Sequence, residues 1–312
     1  MDRETELAII RRAFAKQVTA AVGVTDQRVE DAFAAVRRED FLGPGPWQIL
    51  RWGQAYRPTP SADPVYLYTD DLVGIVPERM LNNGQPQLHA ALIAAAAPRE
   101  GEHVVHVGAG TGYYTAILAQ LAGRTGRVTA IELDPGLAAR AAANFDGYDN
   151  VRIIEGDGVT APFDMAAIIY VNAGASRPAD AWLDRLEDGG RLILPLTTDS
   201  AFSQKTSWNP ADLAMRGAVF RIERRGEEFL ARAVSSVAIF PCHGARDEVS
   251  AKALEAAFEK GDWQKVARLY RHTNLPVEHC WVQAPGWSLA YDDAASASTR
   301  ASGQVSTASS AS

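Results

Sequence analysis

Three glycines at alternate positions, in His106-Val107-Gly108-Ala109-Gly110-Thr111-Gly112-Tyr113-Tyr114, form the segment of this chain best suited to binding a ligand. They follow an apolar run that reads as a strand and precede one that reads as a helix, the place where α/β sheets bind nucleotides. Glycine lets the backbone turn tightly there and approach a ligand closely. A dinucleotide fingerprint needs its third glycine at 113, where this chain has Tyr, so a pyrophosphate is disfavoured. No Gly-Lys-Ser/Thr follows, which removes a phosphate-cradling loop as well. Glu132, followed by Leu133, stands at the end of the next strand, 20 residues past Gly112, where a carboxylate can accept both ribose hydroxyls. Glu155-Gly156-Asp157-Gly158 ends the third strand, and Asp157 beside Gly158 offers a carboxylate to an adenine amino group. Together these features describe a site for an adenosine without phosphates. S-adenosylmethionine fits it, with S-adenosylhomocysteine as the product left behind.

The elements that must hold these residues are legible as a rhythm. Short apolar runs (104–107, 128–131, 151–154, 166–171 and 191–194) alternate with helical stretches (113–121, 137–145 and 179–186). Strand and helix repeated this way predict a Rossmann-like, doubly wound and mostly parallel α/β sheet covered on both faces. Residues 218–223 and 229–239, joined through Arg225-Gly226, predict a closing antiparallel hairpin. Ahead of this core, 1–98 reads as a helical segment. Thr25 is the expected N-cap of a helix with Val29, Ala32, Phe33 and Val36 on one stripe. Residues 43–64 are rich in Gly and Pro and read as mostly loop, with Trp47, Trp52, Tyr56, Tyr66 and Tyr68 in or beside them as pins or pocket walls. Beyond the core (99–245), 246–293 reads as a helical appendage. Ala251, Leu254, Ala257 and Phe258 form one stripe of it, and Trp263, Val266, Leu269 and Tyr270 a second. The Ala/Ser/Thr-rich stretch 294–312 is expected to be disordered.

Composition excludes several classes. Of 312 residues, 31 are Lys or Arg and 38 Asp or Glu, a net charge of −7 that argues against binding duplex nucleic acid. Two cysteines cannot make a disulfide scaffold. The charged N-terminus has no apolar stretch behind it and no run approaches the length of a membrane span, so a cytoplasmic protein is expected, without a membrane partner. Cys242-His243 and His279-Cys280 invite a zinc reading, but adjacent ligands on extended chain point to opposite sides, and no metal is expected.

Several segments resemble the protein-L-isoaspartate O-methyltransferases: Val105–Leu118, Ile131-Glu132-Leu133-Asp134, Gly156-Asp157-Gly158, Pro162-Phe163-Asp164, Leu186–Pro195 and Arg37-Arg38-Glu39-Asp40-Phe41. The resemblance spans about residues 24–245 and implies a class I, S-adenosylmethionine-dependent O-methyltransferase acting on a carboxylate. It implies cofactor contacts from His106, Gly108, Ala109, Gly110, Thr111, Gly112, Glu132, Leu133, Asp157 and Gly158. Two places depart from the family's pattern. His106 stands where the family has an acidic residue near the methionine amino group. Asn82-Asn83-Gly84-Gln85-Pro86 aligns with the family's Thr-Ile-Ser-x-Pro acceptor loop, so Gly84 replaces a Ser and Asn82 a Thr. Asn82, Asn83 and Gln85 are then the candidate acceptor-side donors, with His89 the one candidate base nearby. The loss of the Ser hydroxyl predicts weakened methylation of simple isoaspartyl peptides, which Gly84→Ser should restore. The competing readings are a methyltransferase of this fold retargeted to another peptide or small-molecule carboxylate, and a non-catalytic cofactor-binding protein.

Overall fold

The computed structural model describes residues 1–51, 55–198 and 216–292. The expected disordered stretch 294–312 and Trp52 lie outside these residues. The N-terminal part holds α1 (Arg3–Ala21), α2 (Gln27–Ala35) and the short α3 (Glu39–Leu42). The N-cap of α2 is Asp26 rather than Thr25: its carboxylate accepts the Arg28 amide at 3.0 Å. The expected loop contains two short strands, β1 (Gln48–Leu50) and β2 (Arg57–Pro58). They join β3 (Leu72–Val76) and β4 (Leu81–Asn82) in a small antiparallel sheet, ordered β2-β1-β3-β4. Pro86 then opens α4 (Pro86–Ala96), where its missing N–H costs nothing.

The core runs β5 (His103–Val107), α5 (Tyr113–Ala122), β6 (Arg127–Glu132), α6 (Pro135–Asn144), β7 (Val151–Glu155), β8 (Ala166–Val171), α7 (Asp180–Asp184) and β9 (Leu186–Thr197). Parallel pairings link β7-β6-β5-β8-β9, as the unbroken apolar runs predict. The chain leaves β5 toward β6 on one side and returns to β8 on the other. This makes a crevice at the carboxyl ends of β5 and β8, where such sheets bind ligands. β10 (Gly217–Arg225) and β11 (Glu228–Ser236) form the expected antiparallel hairpin beside β9.

The C-terminal part differs from the expected helical appendage. Its first stripe is a helix, α8 (Glu248–Lys260), but the second is a short turn followed by β12 (Val266–Arg271). With β13 (Cys280–Ala284) and β14 (Trp287–Tyr291) it continues the same sheet, in the order β13-β14-β12-β11-β10-β9-β8-β5-β6-β7. Apolar cores form on both faces. One packs α1, α2, α4 and α5 through Phe14, Phe33, Ile93 and Ile117, and the other packs α7 and α8 through Trp182, Leu254, Phe258 and Trp281. Among the described residues no helix is long and apolar enough to cross a membrane.

Candidate functional site

A cavity of about 510 Å³ opens at the crevice predicted by the strand order. That is an ordinary size for a small-molecule site. Its floor is the glycine loop. After Val107 the chain turns at Gly108, and the amides of Gly108 and Ala109 both donate to Ile131 C=O, at 2.9 and 3.2 Å. A Cβ on Gly108, whose φ is +78°, would come within 3.0 Å of Asn172 C=O, and one on Gly158 would collide with the Val107 side chain. At both glycines the wall is packed too closely for a side chain, so bare backbone borders the cavity. Such a cradle fits an adenosyl group.

Glu132 is nine-tenths buried beside this loop. Its Oε2 accepts the Gly110 amide at 2.7 Å and its Oε1 accepts the Asp134 amide at 2.9 Å. Burial raises its pKa above the usual carboxylate value, while the two amides pull it back. Each oxygen keeps a further lone pair for a ribose hydroxyl. Leu133, 46% exposed, makes an apolar lip. Asp157 and Gly158 line the opposite wall, with Asp157 Oδ1 accepting the Val159 amide at 2.8 Å.

Thr111 and Gly112 lie behind the loop rather than in the cavity lining. Thr111 C=O accepts from Asn144 Nδ2 at 2.9 Å, and Gly112 leads into α5. His106 also sits behind the wall. Fully buried, it shares a hydrogen bond with Thr115 Oγ1 at 2.8 Å and meets the Tyr170 ring edge-on. Burial pulls its pKa down to about 3, so the imidazole is neutral. It cannot reproduce by charge what an acidic residue would do at this position.

Asn82 and Asn83 close the cavity from another side, and the three amides of the 82–85 segment are engaged differently. Asn82 Oδ1 accepts the Gly84 amide at 2.9 Å, and its Nδ2 donates to Met80 C=O at 3.3 Å. Gln85 lies outside the lining, its Nε2 donating to Asp70 Oδ2 at 2.6 Å. Asp70 Oδ1 also accepts the Gln87 amide at 2.7 Å and so caps α4. Asn83 differs: it is 8% exposed, lines the cavity, and its Nδ2 has no partner among the described residues. His89 is 1% exposed, outside the lining, and burial holds its pKa well below the ordinary value. A neutral imidazole packed under the loop is not placed as a general base at the cavity surface.

Further walls come from residues that sequence reasoning passed over. Tyr114 opens the first turn of α5, and its place directly after Gly112-Tyr113 was the one local signal available. Ile75 and Leu81 come from the small sheet, where Arg79 forms an ion pair with Asp134 across the mouth. Phe240 to Gly244 cover Asp157 so closely that a Cβ on Gly244 would collide with its carboxylate. This segment is held where Gly174 donates to Phe240 C=O at 2.6 Å and Cys242 donates to Gly174 C=O at 2.8 Å. Burial raises the Cys242 thiol to about 11, leaving it protonated and a poor nucleophile or ligand. Cys280 lies in a separate apolar cluster with Leu275 and Ala290. Among the described residues no group of three or more His, Cys, Asp or Glu is placed to hold a metal.

Comparison with known proteins agrees with this geometry. Residues 11–209 match the family described as Protein-L-isoaspartate(D-aspartate) O-methyltransferase (PCMT). The chain is 35% identical over 192 residues to Protein-L-isoaspartate O-methyltransferase 2 of Anaeromyxobacter sp. (strain Fw109-5), covering 59% of this chain and 69% of that one. It is 30% identical over 224 residues to Protein-L-isoaspartate O-methyltransferase of Pyrobaculum arsenaticum, covering 69% of this chain and 91% of that one. In fold it is similar to a Plasmodium falciparum protein described as a protein-L-isoaspartate O-methyltransferase and solved in complex with S-adenosyl-L-homocysteine. That match has a TM-score of 0.56 and 17% identity, over 74% of this chain and 97% of that one. The chain belongs to the protein-L-isoaspartate(D-aspartate) O-methyltransferase family, S-adenosylmethionine-dependent methyltransferases of the class I fold.

Proposed function

We propose that this protein methylates the free α-carboxylate of isoaspartyl residues in peptides and proteins, with S-adenosylmethionine as methyl donor and Asn83 as the residue that holds the acceptor. The observation that carries this reading is that Asn83 and Glu132 line one cavity, with the Asn83 Nδ2 buried and without a partner among the described residues. A buried donor left unpaired costs about 1–3 kcal/mol, which a bound carboxylate would relieve.

The bound cofactor supplies a methyl group on a sulfonium, open to in-line displacement. The acceptor carboxylate is already an anion, so no side chain has to remove a proton, and alignment carries the catalysis. That suits a site in which His89 and His106 are both neutral and engaged behind the wall, while His243, the imidazole that lines the cavity, sits on the Phe240–Gly244 segment over Asp157. Glu132 orients the ribose end and Asp157 the adenine end, while Asn83 fixes the acceptor carboxylate by a charge-assisted hydrogen bond. The two cysteines are free thiols, which supports the reducing setting of a cytoplasmic protein. No observation favours a retargeted acceptor or a non-catalytic protein. Transfer of labelled methyl to an isoaspartyl peptide and not to its aspartyl twin tests the proposal.

A further inference from the structure

Gly84 has φ +77°, and a Cβ there would collide with His89 Nε2 and lie 2.9 Å from His89 Cδ2. The imidazole thus occupies the volume that a side chain at 84 would need. It is fixed on its other sides. Its ring stacks on Tyr114 with centroids 3.5 Å apart and planes 12° apart, and its Nδ1 shares a hydrogen bond with the Tyr170 hydroxyl at 2.8 Å. Tyr114 in turn donates its hydroxyl to Gly84 C=O at 3.1 Å. The loop is therefore joined to two helices at one residue, to α4 by the ring under Gly84 and to α5 by the phenol on its carbonyl. Asn83, with its unused amide, is the next residue along, and both Asn83 and Tyr114 line the cavity.

We propose that His89 is a positioning residue for the acceptor: by filling the space beneath Gly84 it holds the Asn82–Gln85 turn so that Asn83 stays in the cavity wall. This deepens the function proposed above and rests on it. An imidazole suits the task because it is flat enough to stack and has a nitrogen for Tyr170. An aliphatic side chain would leave both Tyr114 and the Tyr170 hydroxyl without that partner. With the ring in this position, a side chain at 84 would overlap it. The chain thus supports its acceptor loop from helix α4 and not from the loop itself.

The test is a mutant cycle of His89→Ala, Gly84→Ala and the double variant, assayed with an isoaspartyl peptide. Each single substitution should lower kcat/KM for the peptide by roughly 10- to 100-fold, the scale of a displaced acceptor contact. The KM for S-adenosylmethionine and the Kd for S-adenosylhomocysteine should change by less than about twofold, because uniform damage to the fold would move both. The double variant should retain more activity than the product of the two single losses, since the collision is absent once the ring is gone. Strictly multiplicative losses, or an equal loss of cofactor affinity, would overturn the proposal. Should His89→Ala fail to fold, His89→Phe keeps a ring on Tyr114 while giving up the Tyr170 hydroxyl, and should retain more of the rate than Gly84→Ala; a Phe variant no more active than Gly84→Ala overturns it. If the wild type esterifies no isoaspartyl peptide, the function reading falls by itself. Amide hydrogen exchange then decides the interlock. Faster exchange across Asn82–His89 in His89→Ala, with β5 and β6 unchanged, supports it, and unchanged exchange in the loop refutes it.

Discussion

Glu132 and Gly110 are joined by a 2.7 Å hydrogen bond from the loop amide to the carboxylate, so the residue proposed to hold the ribose also fixes the glycine loop. With Asp134 donating to the other oxygen, both oxygens are already committed to N–H donors. Glu132→Gln would set its NH₂ against one of these amides. It should therefore weaken S-adenosylhomocysteine binding nearly as much as Glu132→Ala, by about 1–3 kcal/mol. Titration calorimetry of the two variants checks this. NAD should show no binding heat, because Tyr113 occupies the place of the glycine that a pyrophosphate requires.

Asn83→Ala should separate activity from stability. Removing a donor to a charged acceptor costs about 1.5–3 kcal/mol, or about 10- to 100-fold in kcat/KM. Because the amide is unpaired in the free protein, its removal should leave the melting temperature unchanged or slightly raised. Gln85→Ala should do the reverse: it breaks the bond to Asp70 and lowers stability without removing a cavity group. Thermal unfolding and steady-state kinetics of the pair read both outcomes.

Stability should fall in mild acid. His89 and His106 are held neutral by burial, His106 with a pKa near 3 and His89 well below its ordinary value of 6.5. The unfolded chain takes up these protons near pH 6.5, so it binds more protons than the folded one below that pH. Folding free energy is then independent of these groups above about pH 7 and decreases as pH drops. His106 contributes about 2 kcal/mol of loss between pH 7 and pH 5, and His89 adds to it in the same direction. Urea unfolding at the two pH values should show this, and His106→Leu should flatten the dependence. An unchanged slope in that variant would mean the ring is charged in the folded protein.

The cofactor side of the site was legible in the sequence because each part is local. The Gly108–Gly112 spacing, Glu132 on the following strand and Asp157 on the third all sit at strand ends that periodicity marks. The Trp263–Tyr270 stripe misled because β12 carries an irregularity between Val266 and Arg268. The shift separates the buried Val266 and Leu269 by three residues and imitates a helical face. Phe240–Gly244 and Ile75–Leu81 gave no signal, since only the tertiary path of the chain brings them to the cavity. Gly84 looked like a missing hydroxyl. The sequence could not show that His89, five residues later, fills the vacated space, and with that ring present Gly84→Ser is expected to lower activity rather than raise it.

The central claim is tested most directly by incubating the protein with methyl-tritiated S-adenosylmethionine and two peptides that differ only in an isoaspartyl or aspartyl linkage. The account predicts label on the isoaspartyl peptide alone, released as methanol by mild base as expected of a carboxyl ester, and reduced by about 10- to 100-fold in Asn83→Ala. Base-stable label, equal labelling of the two peptides, or no label at saturating cofactor would contradict it.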